Sequence, residues 1–278
     1  MRERSRFERE RFDLGLRSPA FEYEVIEPDT RQQVKDAFSI PFRFICHLEI
    51  SYKNTRDKKG ATGTLIGRRF VLTAAHNLET EEGLSARRIV VSPARNGDPN
   101  SIGEFDAATW RVQARWRRTH WPFDYALIKL KKEVALDNFV ETDWKPLGCW
   151  GDPTYGAGTS LTPLPANLLN GRTAFVAGYP GRRDKTNYMM LGGAGVLMGV
   201  APNLPIQNGD VLLHHTVDTE KGQSGAPVWV RDDKTNARHL VGIHIRGGRQ
   251  ENGKFVSNVA VRMTSQVRTQ IDTWIRTM

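Results

Sequence analysis

The chain reads as an all-β protein, and three observations predict it. Short runs rich in β-branched and aromatic residues recur between turn-forming clusters from about residue 25 onward. Strand-like and helix-like segments do not alternate, as they would around a parallel sheet. A helical period of apolar residues stands out only at the C-terminus. Antiparallel barrels or sandwiches fit this texture.

The strand candidates follow in order. FRFICHLEIS (42–51), GTLIGRRFVLTAA (63–75), RRIVVSP (87–93), TWRVQARW (109–116) and DYALIKL (124–130) form a first group. TAFVAGYP (173–180), DVLLHHTVD (210–218), APVWVRDD (226–233), HLVGIHIRGG (239–248) and SNVAVRM (257–263) form a second. Between them, residues 145–171 are dense in Gly and Pro with little periodicity, as expected of a connection between two β units. Residues 264–278 close the chain as a helix, with Val267, Ile271, Trp274 and Ile275 on one face. The organisation expected is a charged N-terminal extension (1–24), a first β unit (25–144), the connection (145–171), a second β unit (172–263) and the helix (264–278). No internal repeat is visible.

Composition narrows the function classes. Of 278 residues, 39% are hydrophobic and 26% charged, the balance of a soluble globular protein. No apolar run approaches the roughly 18–20 residues that cross a bilayer, so no membrane partner is expected. The start holds six Arg against six acids and no apolar centre. It reads neither as a signal peptide nor as a basic nucleic-acid arm. A cytoplasmic protein is the expectation, or a secreted one whose signal is not part of this sequence. Cys46 and Cys149 lack nearby metal-ligand spacing and are read as free thiols, with no metal or other cofactor implied. The net charge is +9. Part of it lies in residues 110–132, where seven Lys/Arg accompany Trp110, Trp116 and Trp121. Such interleaving can bind single-stranded nucleic acid; the plainer reading is a solvated strand pair anchored by its tryptophans.

Three positions carry chemistry. Ser224 sits in GQSGAP (222–227) between two glycines, where its hydroxyl has little side-chain cover. A serine hydroxyl is a poor nucleophile near neutral pH and needs a base. His76 ends the apolar run FVLTAAH, where two alanines let an imidazole approach a neighbouring strand. Asp124 stands immediately before a strand, where its carboxylate can orient the imidazole. Each alone is as readily an ordinary loop, strand-end or strand-start residue.

Together TAAH, DYAL and GQSGAP, at gaps of 48 and 100 residues, resemble the signature segments of the chymotrypsin-like serine peptidases. The resemblance implies two six-stranded antiparallel β-barrels with a cleft between them. It implies a catalytic triad of His76, Asp124 and Ser224, and an oxyanion hole made by the N–H groups of Gly222 and Ser224. Asp218, six residues before Ser224, matches the offset at which trypsin-type members read Lys or Arg. A wider set of segments, VIEPDTRQQVKDAFSIPFRFICHL, VSPARNG, FVAGYPG, VDTEKGQSGAPVW and VGIHIRGG, is similar to the bacterial glutamyl endopeptidases. That branch implies a peptide substrate with Glu before the cut bond and Asp as a weaker choice. It implies a pocket of Thr219 and His244, strand-like pairing of substrate along Ile245, Arg246 and Gly247, and a role for Val25 once residues 1–24 are removed after Glu24. Arg246 departs from the smaller or neutral residue usual there. A peptidase fold kept only for binding is the alternative from another class.

Overall fold

The computed structural model describes residues 25, 26, 28–97, 102–116, 120–134, 147–181, 189–200, 211–248, 250, 251 and 254–278. The extension expected over residues 1–24 lies outside them. Six strands build a first barrel: β1 (Ile45–Tyr52), β2 (Lys58–Gly67), β3 (Phe70–Thr73), β4 (Ala86–Pro93), β5 (Phe105–Val112) and β6 (Ala126–Leu130). They run antiparallel in the order β1-β2-β3-β6-β5-β4, and pairing of β4 with β1 closes the ring. In β1, Cys46, Leu48, Ile50 and Tyr52 alternate along the strand and are buried, while Glu49 and Ser51 between them reach the surface in part. A period of two with one buried face is what a barrel wall requires.

Six more strands form the second barrel: β7 (Thr173–Gly178), β8 (Leu191–Val200), β9 (Leu212–His215), β10 (Pro227–Arg231), β11 (Arg238–Gly247) and β12 (Asn258–Arg262). Their order is β8-β9-β12-β11-β10-β7, closed by β7 on β8. Read from β7, this is the path of the first barrel repeated. The repeat is one of topology, since the two stretches of sequence show no likeness. Closure removes free sheet edges in both barrels.

Three elements tie the barrels together. Trp150, in the stretch read as a bare connection, is 1% exposed. Its ring lies edge-on to Phe44 at 6.2 Å and against Trp229 at 6.2 Å, and its Nε1 donates to Thr64 Oγ1 at 2.9 Å. The C-terminal helix α1 (Ser265–Thr277) leaves the second barrel and returns to the first. Thr264 caps it by accepting from the Val267 N–H at 3.1 Å, and Trp274 packs on Tyr125, ring centroids 5.6 Å apart. Val267, Ile271 and Trp274 form its buried face, and Ile275 lies half-buried beside them. The third element corrects a boundary. The first β unit is expected to begin at residue 25, but Gln32 and Gln33 pair with Gly192 and Leu191 of β8, and Val34 N–H donates to Met190 O at 2.9 Å. The arm therefore lies on the second barrel, because β8 offers it a backbone ladder.

The tryptophans of the basic stretch are packed into the fold. Trp116 and Trp121 are 3% exposed and stack edge-on at 5.7 Å, and Trp110 packs partly against the core. Their faces are spent on the fold. Cys46 and Cys149 are both buried free thiols.

Buried histidines make stability depend on acid. Burial, and then Arg95, push His47 down to about 3; burial, and then His214, push His215 down to about 3. Burial also holds His244 well below its ordinary value. An unfolded chain binds protons at these sites below about pH 6.5, whereas the folded one does not. The stabilisation is therefore complete above that pH and is lost as pH falls toward 3. Each histidine steepens the loss by about 1.4 kcal/mol per pH unit. Urea unfolding between pH 6.5 and 5 is expected to show this slope, and His215→Leu is expected to flatten it by one histidine's share. An unchanged slope in the variant refutes the assignment.

Candidate active site

β3 and β6 are neighbours, with Thr73 opposite Ala126. The end of one and the start of the other therefore emerge side by side. After β3, Ala74 and Ala75 are fully buried and lead into a single 3₁₀ turn, Ala75–Asn77, that presents His76. Before β6, another 3₁₀ turn, Trp121–Phe123, ends on Asp124. The Asp124 carboxylate is fully buried, and its two oxygens take separate donors. Oδ1 accepts from the His76 backbone N–H at 2.9 Å, and Oδ2 lies 2.7 Å from His76 Nδ1. An ionised carboxylate only accepts, so Nδ1 carries the proton. The His76 side chain is 11% exposed.

Ser224 comes from the second barrel, in the turn before β10. Gly222 and Gly225 on either side have φ of +94° and +89°, which L side chains rarely adopt. A Cβ on Gly225 would lie 2.1 Å from the Thr62 carbonyl oxygen, and one on Gly222 would lie 2.6 Å from Tyr179 O. The turn thus needs both glycines, for backbone angle and for space. The Ser224 hydroxyl donates to Ile245 O at 3.4 Å. Ile245 is the extra residue of a bulge in β11, opposite no residue of β12, so its carbonyl is turned out of the ladder. His76, Asn77, Gly222 and Ser224 line one cleft together with Lys59 and Lys221.

Two buried residues unnoticed in the sequence hold the halves of this site together. Thr62 of β2 donates its N–H to Ser224 O at 3.1 Å and its hydroxyl to Gly222 O at 2.8 Å. Asn77, next to His76, donates from Nδ2 to Ser224 O at 2.9 Å and to Thr73 Oγ1 at 3.0 Å. The main chain at Ser224 is thereby pinned by the barrel that carries His76. Asn77 had a signal, its adjacency to His76; Thr62 in GATG had none.

Beyond Ser224 the residues expected to face a substrate side chain divide. Thr219 and His244 are fully buried, and neither Thr219 Oγ1 nor either ring nitrogen of His244 meets a partner among the described residues. His215, also missed, stands edge-on to His244 at 5.5 Å. The Asp218 carboxylate accepts from Ile26 N at 2.7 Å, Thr30 N at 2.9 Å and Thr30 Oγ1 at 2.6 Å. Three donors from the arm occupy it, which turns the carboxylate toward the arm. Val25 is carried to the same corner by Ile26. Arg246 is 2% exposed, its guanidinium 4.2 Å from the centre of the Trp121 ring, with Nε donating to Gly247 O at 3.1 Å. It fills space beside the Asp124 turn. Gly247 pairs with Asn258 at the end of β11.

Two closed antiparallel barrels with this cleft at their junction define the chymotrypsin-like fold. The chain belongs to the trypsin-like peptidase family, whose domain model matches residues 61–243. It is a serine peptidase of that fold. The extracellular metalloprotease of Bacillus subtilis is 27% identical over 252 residues, covering 90% of this chain and 69% of that protein. The glutamyl endopeptidase of Bacillus licheniformis is 28% identical over 254 residues, covering 90% and 68%. Among solved structures, a Glu endopeptidase in complex with MPD superposes with a TM-score of 0.65 at 21% identity, over 90% of this chain and 98% of that one. The protease Anisep from Arthrobacter nicotinovorans superposes with a TM-score of 0.58 at 14% identity, over 87% and 98%. Among the described residues no three His, Cys, Asp or Glu side chains gather where they could hold a metal ion.

Proposed function

We propose that the chain is an endopeptidase that cuts after Glu, with Asp as a weaker choice, through Ser224, His76 and Asp124. The observation that carries the mechanism is the doubly bonded His76–Asp124 pair in the cleft that Ser224 shares. With Nδ1–H given to Asp124, the imidazole keeps its proton-accepting lone pair on Nε2. The Ser224 hydroxyl turns from Ile245 O toward His76, gives up its proton and attacks the peptide carbonyl. The N–H groups of Gly222 and Ser224 receive the oxyanion. His76 then protonates the leaving amine, and water repeats the cycle on the acyl-enzyme.

Three observations support the preference for Glu. The Thr219 hydroxyl and the His244 ring are buried donors without partners among the described residues, a costly arrangement unless a ligand satisfies them. A carboxylate does so, and its charge draws a proton toward the otherwise neutral imidazole. The Asp218 carboxylate, which would oppose a substrate carboxylate, is engaged by three donors of the arm. A relative of 28% identity is named for glutamyl cleavage. The test is a set of peptides identical except for Glu, Asp, Gln or Lys before the cut bond. Glu is expected to exceed Lys in kcat/KM by about 10²-fold or more, since Lys leaves the pocket's buried donors unpaired. A preference for Lys overturns the specificity, and no cleavage of any peptide overturns the activity.

A further inference from the structure

We infer that Ile26, Asp29, Thr30 and Arg31 act as a latch that aims the catalytic turn, with Arg31 as its positioning residue; the inference rests on the reading of Ser224 as nucleophile. The arm meets the loop 218–223 at two points separated by only a few residues on either side. At the first, Ile26 and Thr30 fill the Asp218 carboxylate. At the second, the Arg31 side chain, 1% exposed, acts as a fork. Asp29 braces it, accepting from Nε at 2.9 Å and from Nη2 at 2.7 Å. So braced, Nη1 donates to Gln223 Oε1 at 3.0 Å, and Nη2 lies 3.0 Å from Glu220 Oε2.

Gln223 is the residue between Gly222 and Ser224, and it is 1% exposed. Its Oε1 also accepts from Glu220 N at 2.9 Å, and its Nε2 donates to Leu191 O at 3.2 Å. Its backbone N–H donates to Glu220 O, and its carbonyl accepts from Ala226 N, both at 2.9 Å. That carbonyl shares a peptide plane with the Ser224 N–H, one of the two proposed oxyanion donors, so whatever holds Gln223 sets the direction of that N–H. Local sterics do not set it, because glycines at 222 and 225 leave the turn free to adopt other angles. The bonds to Glu220 O and from Ala226 N, with those of Thr62 and Asn77, hold the main chain of the turn, and Arg31 adds a hold from outside by fixing the Gln223 side chain across 192 residues of sequence. A guanidinium fork suits this task, since its planar donors fix direction as well as distance. Lysine keeps the charge but not the fork.

The test compares full-length wild type, Arg31→Ala and Arg31→Lys by peptide turnover, thermal unfolding and hydrogen exchange of the amides in 218–226. Arg31→Ala is expected to lower kcat by about 10²-fold, the scale of one lost oxyanion donor, with KM changed far less. Amides in 218–226 are expected to exchange faster while those of the first barrel stay protected. Added guanidinium ion is expected to restore part of the kcat of Arg31→Ala, and Arg31→Lys to fall between the two. Unchanged kcat and exchange in Arg31→Ala overturn the latch, as does loosening spread equally over both barrels. If wild type cleaves no peptide, the peptidase reading fails while local exchange in the variants still decides the latch.

Discussion

Ser224→Ala is expected to lower peptide turnover by about 10⁶-fold and to leave stability nearly unchanged. The two halves of this expectation have separate causes. Every strong contact at Ser224 belongs to its main chain: Ser224 O accepts from Thr62 N and Asn77 Nδ2, and the next residue, Gly225, donates to His244 O at 2.7 Å. Alanine keeps all of these. The hydroxyl itself makes only a 3.4 Å bond to Ile245 O, at the weak end of the range, so its loss costs less than about 1 kcal/mol. The hydroxyl is nevertheless the atom that attacks, and binding with an oxyanion hole leaves only residual catalysis without it. Turnover and a fluorophosphonate probe measure the first half; a thermal melt measures the second. A variant that still labels or still cleaves shows that the nucleophile is another residue.

Asp124→Asn is expected to lower kcat by about 10⁴-fold with the fold intact. The side chain keeps its shape, and two fixed groups decide how it sits. The His76 backbone N–H requires an acceptor at Oδ1. The amide oxygen must take that place, which puts the NH₂ group opposite His76 Nδ1. Nδ1 must then accept, so the ring proton moves to Nε2, the nitrogen that has to receive the proton of Ser224. The base is lost through the wrong tautomer, with no charge left to steady the imidazolium. Ring-nitrogen NMR of His76 alongside kinetics checks both parts. A loss below about tenfold shows that Asp124 does not orient the base.

Much of this site was legible before any coordinates. GQSGAP places glycines where φ is positive, and TAAH and DYAL mark a strand end and a strand start. These signals are local, carried by a few consecutive residues whose backbone needs are their own. The nearness of His76 and Asp124 follows from one further fact, that β3 pairs with β6. Asp218 went the other way. Its offset from Ser224 is a linear feature, but its partners Ile26 and Thr30 lie about 190 residues upstream, and only the docked arm shows that they fill it.

The sequence alone determined the β class, the terminal helix, the free thiols and the three residues proposed for proton relay. The β class and the helix follow from hydrophobic period within a short window, and the three residues from the joint resemblance of TAAH, DYAL and GQSGAP to the chymotrypsin-like serine peptidases. Barrel closure decided what remained: that Trp150 would bridge two cores, that Thr62 and Asn77 would pin Ser224, that His215 would stand behind His244, and that Arg31 would reach Gln223. A buried donor or acceptor must be satisfied by whatever the fold brings within about 3 Å, and in a barrel that neighbour is chosen by strand order across the ring.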